Sequence, residues 1–282
     1  RILDKSSMVI DLTELGFSGE ALDKINVLTT KKHGIFLVTG PTGSGKSTTL
    51  YACLSKIRSV ERNIITVEDP VEYQLSGVGQ IQVNPKIDLT FASGLRAILR
   101  QDPDVIMVGE IRDQETAEIA IDAALTGHFV LSTLHTNDAP GAITRLVDMG
   151  IEPFLVSSSI LGVVAQRLVR KVCQFCKQPY MPNDSELKEL GISSDMLSKY
   201  TIFKSRGCEK CSNTGYMGRT VVSELMIISD ELRALILSGT DANTIKRQAV
   251  KEGMVTVRQN AIAKVLQGIT TIEELFRSTQ NE

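Results

Sequence analysis

The chain has 282 residues, with 31 Lys and Arg against 33 Asp and Glu, a net charge of −2, and 42% apolar residues. That length supports one sizeable hydrophobic core with a smaller attached module. The near-neutral balance argues against a polyanion clamp, although a basic channel within a neutral whole keeps a nucleic-acid motor among the alternatives.

The longest apolar stretch, 151–165, is broken by Glu152, Pro153 and three serines. It falls short of the ~20 residues that a membrane-spanning helix needs, so no direct membrane insertion is expected. The sequence opens at Arg1 without an initiating Met or a leader-like basic-then-apolar layout. Residues 1–32 therefore read as a linker and the remnant of a preceding domain. Five cysteines, four of them in two C-x-x-C pairs, suit metal ligation in the reducing cytoplasm better than a disulfide framework.

From 33 to 166, short β-branched runs alternate with helical patterns, which predicts an α/β core with a mainly parallel sheet covered by helices. The first predicted strand is 34–39. In the helix after Lys46, Leu50, Leu54 and Ile57 mark one buried face, and Cys53 beside them reads as core. Further strands are predicted at 63–67, 105–108 and 129–133. A helix over 114–126 has Asp113 as its N-cap and Gly127 as its stop. Beyond Arg167 the β/α rhythm is lost. A loop-rich, Cys-bearing module is expected over 167–222, with a helix of its own near 186–190, and then a C-terminal helical subdomain over 223–282, broken at Gly239, Gly253 and Gly268.

Gly40, Pro41, Thr42, Gly43, Ser44, Gly45, Lys46 and Ser47 match G-x-x-x-x-G-K-[ST], directly after an apolar strand and directly before a helix. Glycines let the backbone approach phosphates and turn its N–H groups inward, and the helix N-terminus adds positive potential. Lys46 then reaches the terminal phosphates of ATP, Ser47 can hold Mg²⁺, and Thr48 falls by the α-phosphate. Hydrolysis further requires a carboxylate beside the nucleotide. The strand over 105–108 delivers Glu110, which we assign as the water-activating or metal-positioning acid. Glu68 and Glu72 are the runners-up, and the roles of the three are not separable from sequence. Asp69, before Pro70, reads equally well as a turn cap.

His128 and His135 bracket the strand over 129–133. His135, at its carboxyl end, is placed to sense the γ-phosphate, and His128 is the weaker candidate. The two are roughly 20 Å apart on an extended strand, which excludes a shared zinc ion. Cys173, Cys176, Cys208 and Cys211 form two knuckles suited to a tetrahedral, four-thiolate, structural zinc site. The loop between the knuckles is longer than the usual 15 to 20 residues, and paired or inert cysteines are the alternative.

Four motifs in order resemble those of the secretion ATPases that power type II secretion, type IV pilus extension and pilus retraction. Residues 40–48 are similar to that family's Walker A, 66–72 to its Asp box, 99–113 to its Walker B and 126–135 to its His box. The four cysteines resemble the metal-binding insertion of the assembly motors, and 137–150 looks more like the type II secretion subgroup than the pilus-extension subgroup. The resemblance implies a RecA-like P-loop NTPase core and a homohexamer with ATP between subunits. It also implies docking at the inner membrane on a platform protein and a cytoplasmic adaptor. Arg96 and Arg100 match family arginines that reach the phosphates, and Arg1 matches the remnant of another. The function implied is ATP-driven pseudopilus assembly for type II secretion. The alternatives are pilus assembly, a nucleic-acid translocase and a nucleotide-dependent switch.

Overall fold

The computed structural model describes residues 11–192 and 199–279. They fall into two compact units. One takes in the chain up to Gln166 together with Leu225–Met254, and the other takes in Arg167–Glu224 together with the chain from Val255 onward.

In the first unit, α1 (Leu12–Leu15) and α2 (Gly19–Thr29) precede β1 (Gly34–Thr39) and α3 (Lys46–Ile57). Then come β2 (Ile64–Glu68), β3 (Gly79–Gln82), α4 (Phe91–Ile98), β4 (Val105–Val108), α5 (Gln114–Leu125) and β5 (Phe129–Leu134). Helices α6 (Ala139–Asp148) and α7 (Pro153–Ser159) lead into β6 (Ile160–Val172). Among the described residues the main sheet has the order β3-β2-β4-β5-β1-β6-β9, where β9 is Tyr216–Ile227. The pairs β2/β3, β2/β4, β4/β5, β1/β5 and β1/β6 are all parallel. Parallel strands joined by helices are covered on both faces, which explains why β1, β4 and β5 are buried at every position.

The apolar stretch 151–165 resolves at Pro153, whose fixed φ opens α7, and the β-branched residues after Ser159 start β6. Strand β6 continues through Val172, past the point where the rhythm is expected to end, so the unit boundary falls within it. Helix α5 begins and ends as expected: the Thr116 amide donates to Asp113 Oδ1 at 2.8 Å, and Gly127 takes φ +111° after the helix.

The second unit contains the end of β6, a small antiparallel pair of β7 (Lys177–Pro179) with β8 (Phe203–Ser205), and, between them in the chain, α8 (Asp184–Leu190). The C-terminal helices are α9 (Asp230–Leu237), α10 (Ala242–Lys251), α11 (Val257–Leu266) and α12 (Ile272–Thr279), with breaks near Gly239, Gly253 and Gly268. They do not form one subdomain over 223–282. Leu232, Ile236, Ile245 and Ala249 join the apolar cluster of Ile143 and Leu146 in the first unit, whereas Val257, Val265 and Leu275 pack with Val169 and Val222 in the second. Likewise α2, within the expected linker 1–32, belongs to the first unit and buries Ile25 and Leu28. Helical periodicity marks an apolar face but not the surface that covers it. Among the described residues no helix is long and apolar enough to cross a membrane.

Candidate functional site

The parallel registers place four strand ends side by side. Val67 pairs with Val108, Val108 with Ser132, and Thr39 with Leu134, so the residues that follow each strand emerge along one edge of the sheet. Ligands gather at this carboxyl edge in open α/β sheets. Side-chain hydroxyls lock the edge: Ser132 Oγ donates to Val108 O and Thr133 Oγ1 to Gly109 O, each at 2.8 Å. Thr39 Oγ1 donates to Leu134 O at 3.0 Å and accepts the Thr136 amide at 2.9 Å, which pins the backbone on both sides of His135.

The loop over 40–48 follows β1. A Cβ at Gly40 would meet Gln166 O at 2.3 Å and Ser44 Oγ at 2.8 Å, so only glycine fits. Gly43 and Gly45 adopt φ of +79° and +88°, and Gly45 N-caps α3. The Lys46 ammonium is nearly buried and donates to Gly40 O at 2.9 Å and Pro41 O at 3.1 Å. Burial pulls it below the ordinary lysine value, and the Glu110 carboxylate counters that pull. Ser44 Oγ is buried without a hydrogen-bond partner among the described residues. Pro41, Thr42 and Ser47 are exposed, and Thr48 is half-buried. A glycine cradle, a lysine at a helix N-terminus and an exposed hydroxyl make a donor set that fits a nucleotide phosphate chain with a magnesium ion at Ser47.

Glu110 emerges from β4. Its carboxylate takes Arg112 Nη2 at 2.5 Å on one oxygen and lies 3.2 Å from His135 Nε2 on the other. The structure thus brings Lys46, Glu110 and His135 to one edge. Glu68, at the end of the neighbouring strand β2, is 3% exposed and surrounded by donors from Tyr51, Thr66 and Gln80. Glu72 is half-buried, and its amide donates to the Tyr51 hydroxyl at 3.3 Å. Asp69 is exposed in the turn. His128 Nδ1 lies 2.9 Å from Ala123 O at the end of α5, a capping contact at the opposite end of β5. Arg96 pairs with Glu115 at 2.7 Å on an exposed helix face, Arg100 is exposed on the turn after α4, and Arg1 lies outside the described residues.

Sequence reading did not single out Arg112, Tyr51, Gln80 or Gln166. Gln166 is fully buried, donates to Ser44 O at 2.8 Å and accepts from Thr49 Oγ1 at 2.9 Å. A polar residue ending an otherwise apolar run was the signal for it. Tyr51 carries no comparable signal, because beside Leu50 it reads as core.

In the second unit, the four sulfurs of Cys173, Cys176, Cys208 and Cys211 lie within 4.8 Å of one another. Sγ separations of 4.0 Å (Cys173/Cys208), 3.9 Å (Cys176/Cys211) and 3.7 Å (Cys208/Cys211) are too long for disulfides. They match the edge of about 3.8 Å that a tetrahedron with Zn–S bonds of ~2.3 Å requires. The Cys208 and Gly215 amides each donate to Cys211 Sγ at 3.2 Å. Burial resists ionisation of Cys211, but these amides and the neighbouring thiols outweigh it and bring the thiol down to about 6. The cluster fits a structural four-thiolate metal. Cys53 is elsewhere, fully buried, with burial pushing its thiol up to about 12.

A family model described as "Type II/IV secretion system protein" matches residues 1–277. The chain is 56% identical, over its full length, to 56% of "Type II secretion system protein E" of Dickeya dadantii. It is also 50% identical, over 99% of its length, to 31% of "Type IV pilus assembly ATPase PilB" of Thermus thermophilus. Among solved structures, the pilus retraction motor PilT with bound ADP superposes with a TM-score of 0.74 at 32% identity, covering 100% of this chain and 69% of that one. The chain spans about half the length of the type II relative it matches. With its P-loop, acidic strand ends and tetracysteine cluster in one sequence, the chain belongs to the type II/IV secretion system protein family.

Proposed function

We propose that this chain is the ATP-hydrolysing part of a motor that drives pseudopilus assembly for type II protein secretion. The observation that carries the reading is the convergence of Lys46, Glu110 and His135 on the strand edge that bears the P-loop. Residues 40–48 hold the triphosphate through backbone amides and the N-terminus of α3. Ser47 would hold Mg²⁺, which neutralises phosphate charge. Glu110, oriented by Arg112 and His135, positions or deprotonates the attacking water, and His135 reports the terminal phosphate to β5. Arg96 and Arg100, exposed on and after α4, supply cations to a nucleotide held between subunits of a homohexamer. Cys173, Cys176, Cys208 and Cys211 hold a structural zinc ion.

The relatives' names support the secretion role, and the ADP of the PilT structure supports nucleotide use. On this reading the motor works in the cytoplasm, peripheral to the inner membrane, on a platform protein and an adaptor. A RecA-like core spans 33–166, with the tetracysteine unit attached. The second reading, pilus assembly, is favoured by the 50% identity to PilB. Deleting the gene in its host separates the two: retained secretion with lost pili selects the second.

Magnesium-ATP turnover and calorimetric binding on the full chain test the core claim. Wild type should bind and hydrolyse ATP, and Lys46→Ala should lower turnover by at least about a hundredfold. Folded wild type that takes up no nucleotide would sink the reading.

A further inference from the structure

Glu68 sits at the end of β2, one residue before Asp69-Pro70, and is 3% exposed. Thr66, two positions earlier on the same face of the strand, donates to Oε1 at 2.5 Å, and Gln80 Nε2 donates to the same oxygen at 3.1 Å. Gln80 is the register partner of Thr66 on β3, so strand pairing itself delivers the second donor. The other oxygen, Oε2, accepts the hydroxyl of Tyr51. Tyr51 comes from a different element, one and a half turns into the helix that Lys46 begins, and is 1% exposed.

The Tyr51 hydroxyl also accepts the Glu72 amide at 3.3 Å, and the ring stacks edge-on against Tyr73 at 4.4 Å between centroids. Burial, then the bond to Glu68, raises the phenol well above its ordinary value, so it remains a donor at any working pH. Glu68 therefore has donors on both oxygens and little contact with water. A carboxylate so buried and so bonded is fixed in position, with little room for a water molecule beside it. Glu110 is differently placed: its partners are both exposed side chains, Arg112 and His135.

We propose that Tyr51 is a positioning residue that ties the helix behind the P-loop to the acidic turn over 68–72, and that Glu68 is its anchor rather than the acid that activates water. The proposal rests on the ATPase reading above and narrows the choice between Glu110 and Glu68 within it. Displacement of α3 on phosphate binding would pass through one phenol to Glu68 and the Glu72 amide together.

The test is a double-mutant cycle on the full chain with Tyr51→Phe, Glu68→Gln and both, measured as kcat and KM for ATP. Each single change should lower kcat by about tenfold with KM altered by less than about twofold, and the double variant should be no worse than the poorer single. Effects that multiply, or a Tyr51→Phe kcat within about twofold of wild type, overturn the proposal. So does a Glu68→Gln loss as deep as that of Glu110→Gln. Hydrogen exchange at the Glu72 amide reads the link without turnover: Tyr51→Phe should speed it by at least about tenfold while β4 amides stay protected. Unchanged exchange overturns the link. A wild type that hydrolyses nothing instead defeats the ATPase reading, and the exchange result still decides on Tyr51.

Discussion

His135 Nε2 lies 3.2 Å from Glu110 Oε2, joining the ends of two adjacent strands through their side chains. The contact depends on register: Met107 pairs with Leu131 and Val108 with Ser132, and the Ile111 amide returns to Thr133 O at 3.0 Å. Glu110→Gln keeps the size and one acceptor but loses the charge that a developing proton transfer needs. Its kcat should fall by about a hundredfold or more while ATP still binds, because the P-loop donors are untouched. Single-turnover kinetics with calorimetry checks this, and a rate within a few-fold of wild type would remove Glu110 from the chemistry.

The tetracysteine cluster makes a separate prediction. Metal analysis on protein purified without chelator should find one zinc per chain, and Cys208→Ser should abolish it. Structural zinc in small sites contributes about 10 kcal/mol or more of binding energy. Loss of the metal should therefore unfold the segment around β7 and β8 and expose it to proteolysis. Full stability of metal-free protein would refute the structural role.

The Walker-type loop, the strand-end acids and the cysteine knuckles were legible in the sequence because each is a local pattern whose chemistry depends on spacing. Strand β4 was bounded correctly at both ends and β5 to within one residue, since short buried strands announce themselves by β-branched runs. What was not legible depends on long-range register. Gln80 became a partner of Glu68 only through the β2/β3 pairing, and β3, exposed at both ends, carries almost no apolar signal. The parting of α9 and α10 from α11 and α12 was hidden for the same reason. Each helix is amphipathic, and the residues they cover, Ile143 for one pair and Val169 for the other, lie about a hundred positions upstream.

Glu274 predicts a pH dependence within the second unit. Its side chain is 1% exposed and accepts Arg170 Nη2 at 2.6 Å, the Arg170 amide at 2.9 Å, and Arg277 Nε and Nη2 at 2.7 and 2.8 Å. Burial works against its ionisation, but the bonds from Arg277 and Arg170 prevail and hold the carboxyl at about 2. Because the folded value is depressed below the ordinary 4.5, the stabilisation is complete above pH 4.5 and is lost as pH falls towards 2. Denaturant titrations at pH 7 and pH 3 should show that loss in wild type and its near absence in Glu274→Gln. At pH 7 the variant should be less stable by about 1–3 kcal/mol, since it removes the buried charge that two partly exposed guanidinium groups hydrogen-bond.

Gln166 offers a test of how the P-loop is held. Its amide nitrogen donates to Ser44 O and its amide oxygen accepts from Thr49, so one fully buried side chain grips the loop and the first turn of α3 together. Its own backbone oxygen also closes the space that a Cβ at Gly40 would need. Gln166→Leu preserves volume but leaves a buried carbonyl and a buried hydroxyl unsatisfied, which costs about 1–3 kcal/mol. Because both orphaned groups belong to the nucleotide cradle, KM for ATP should rise several-fold while kcat at saturation changes less. Gln166→Glu, which keeps the acceptor for Thr49 but loses the donor to Ser44, should lie closer to Gln166→Leu than to wild type if the Ser44 bond dominates. A KM for both variants equal to wild type would show that the loop keeps its shape without this residue.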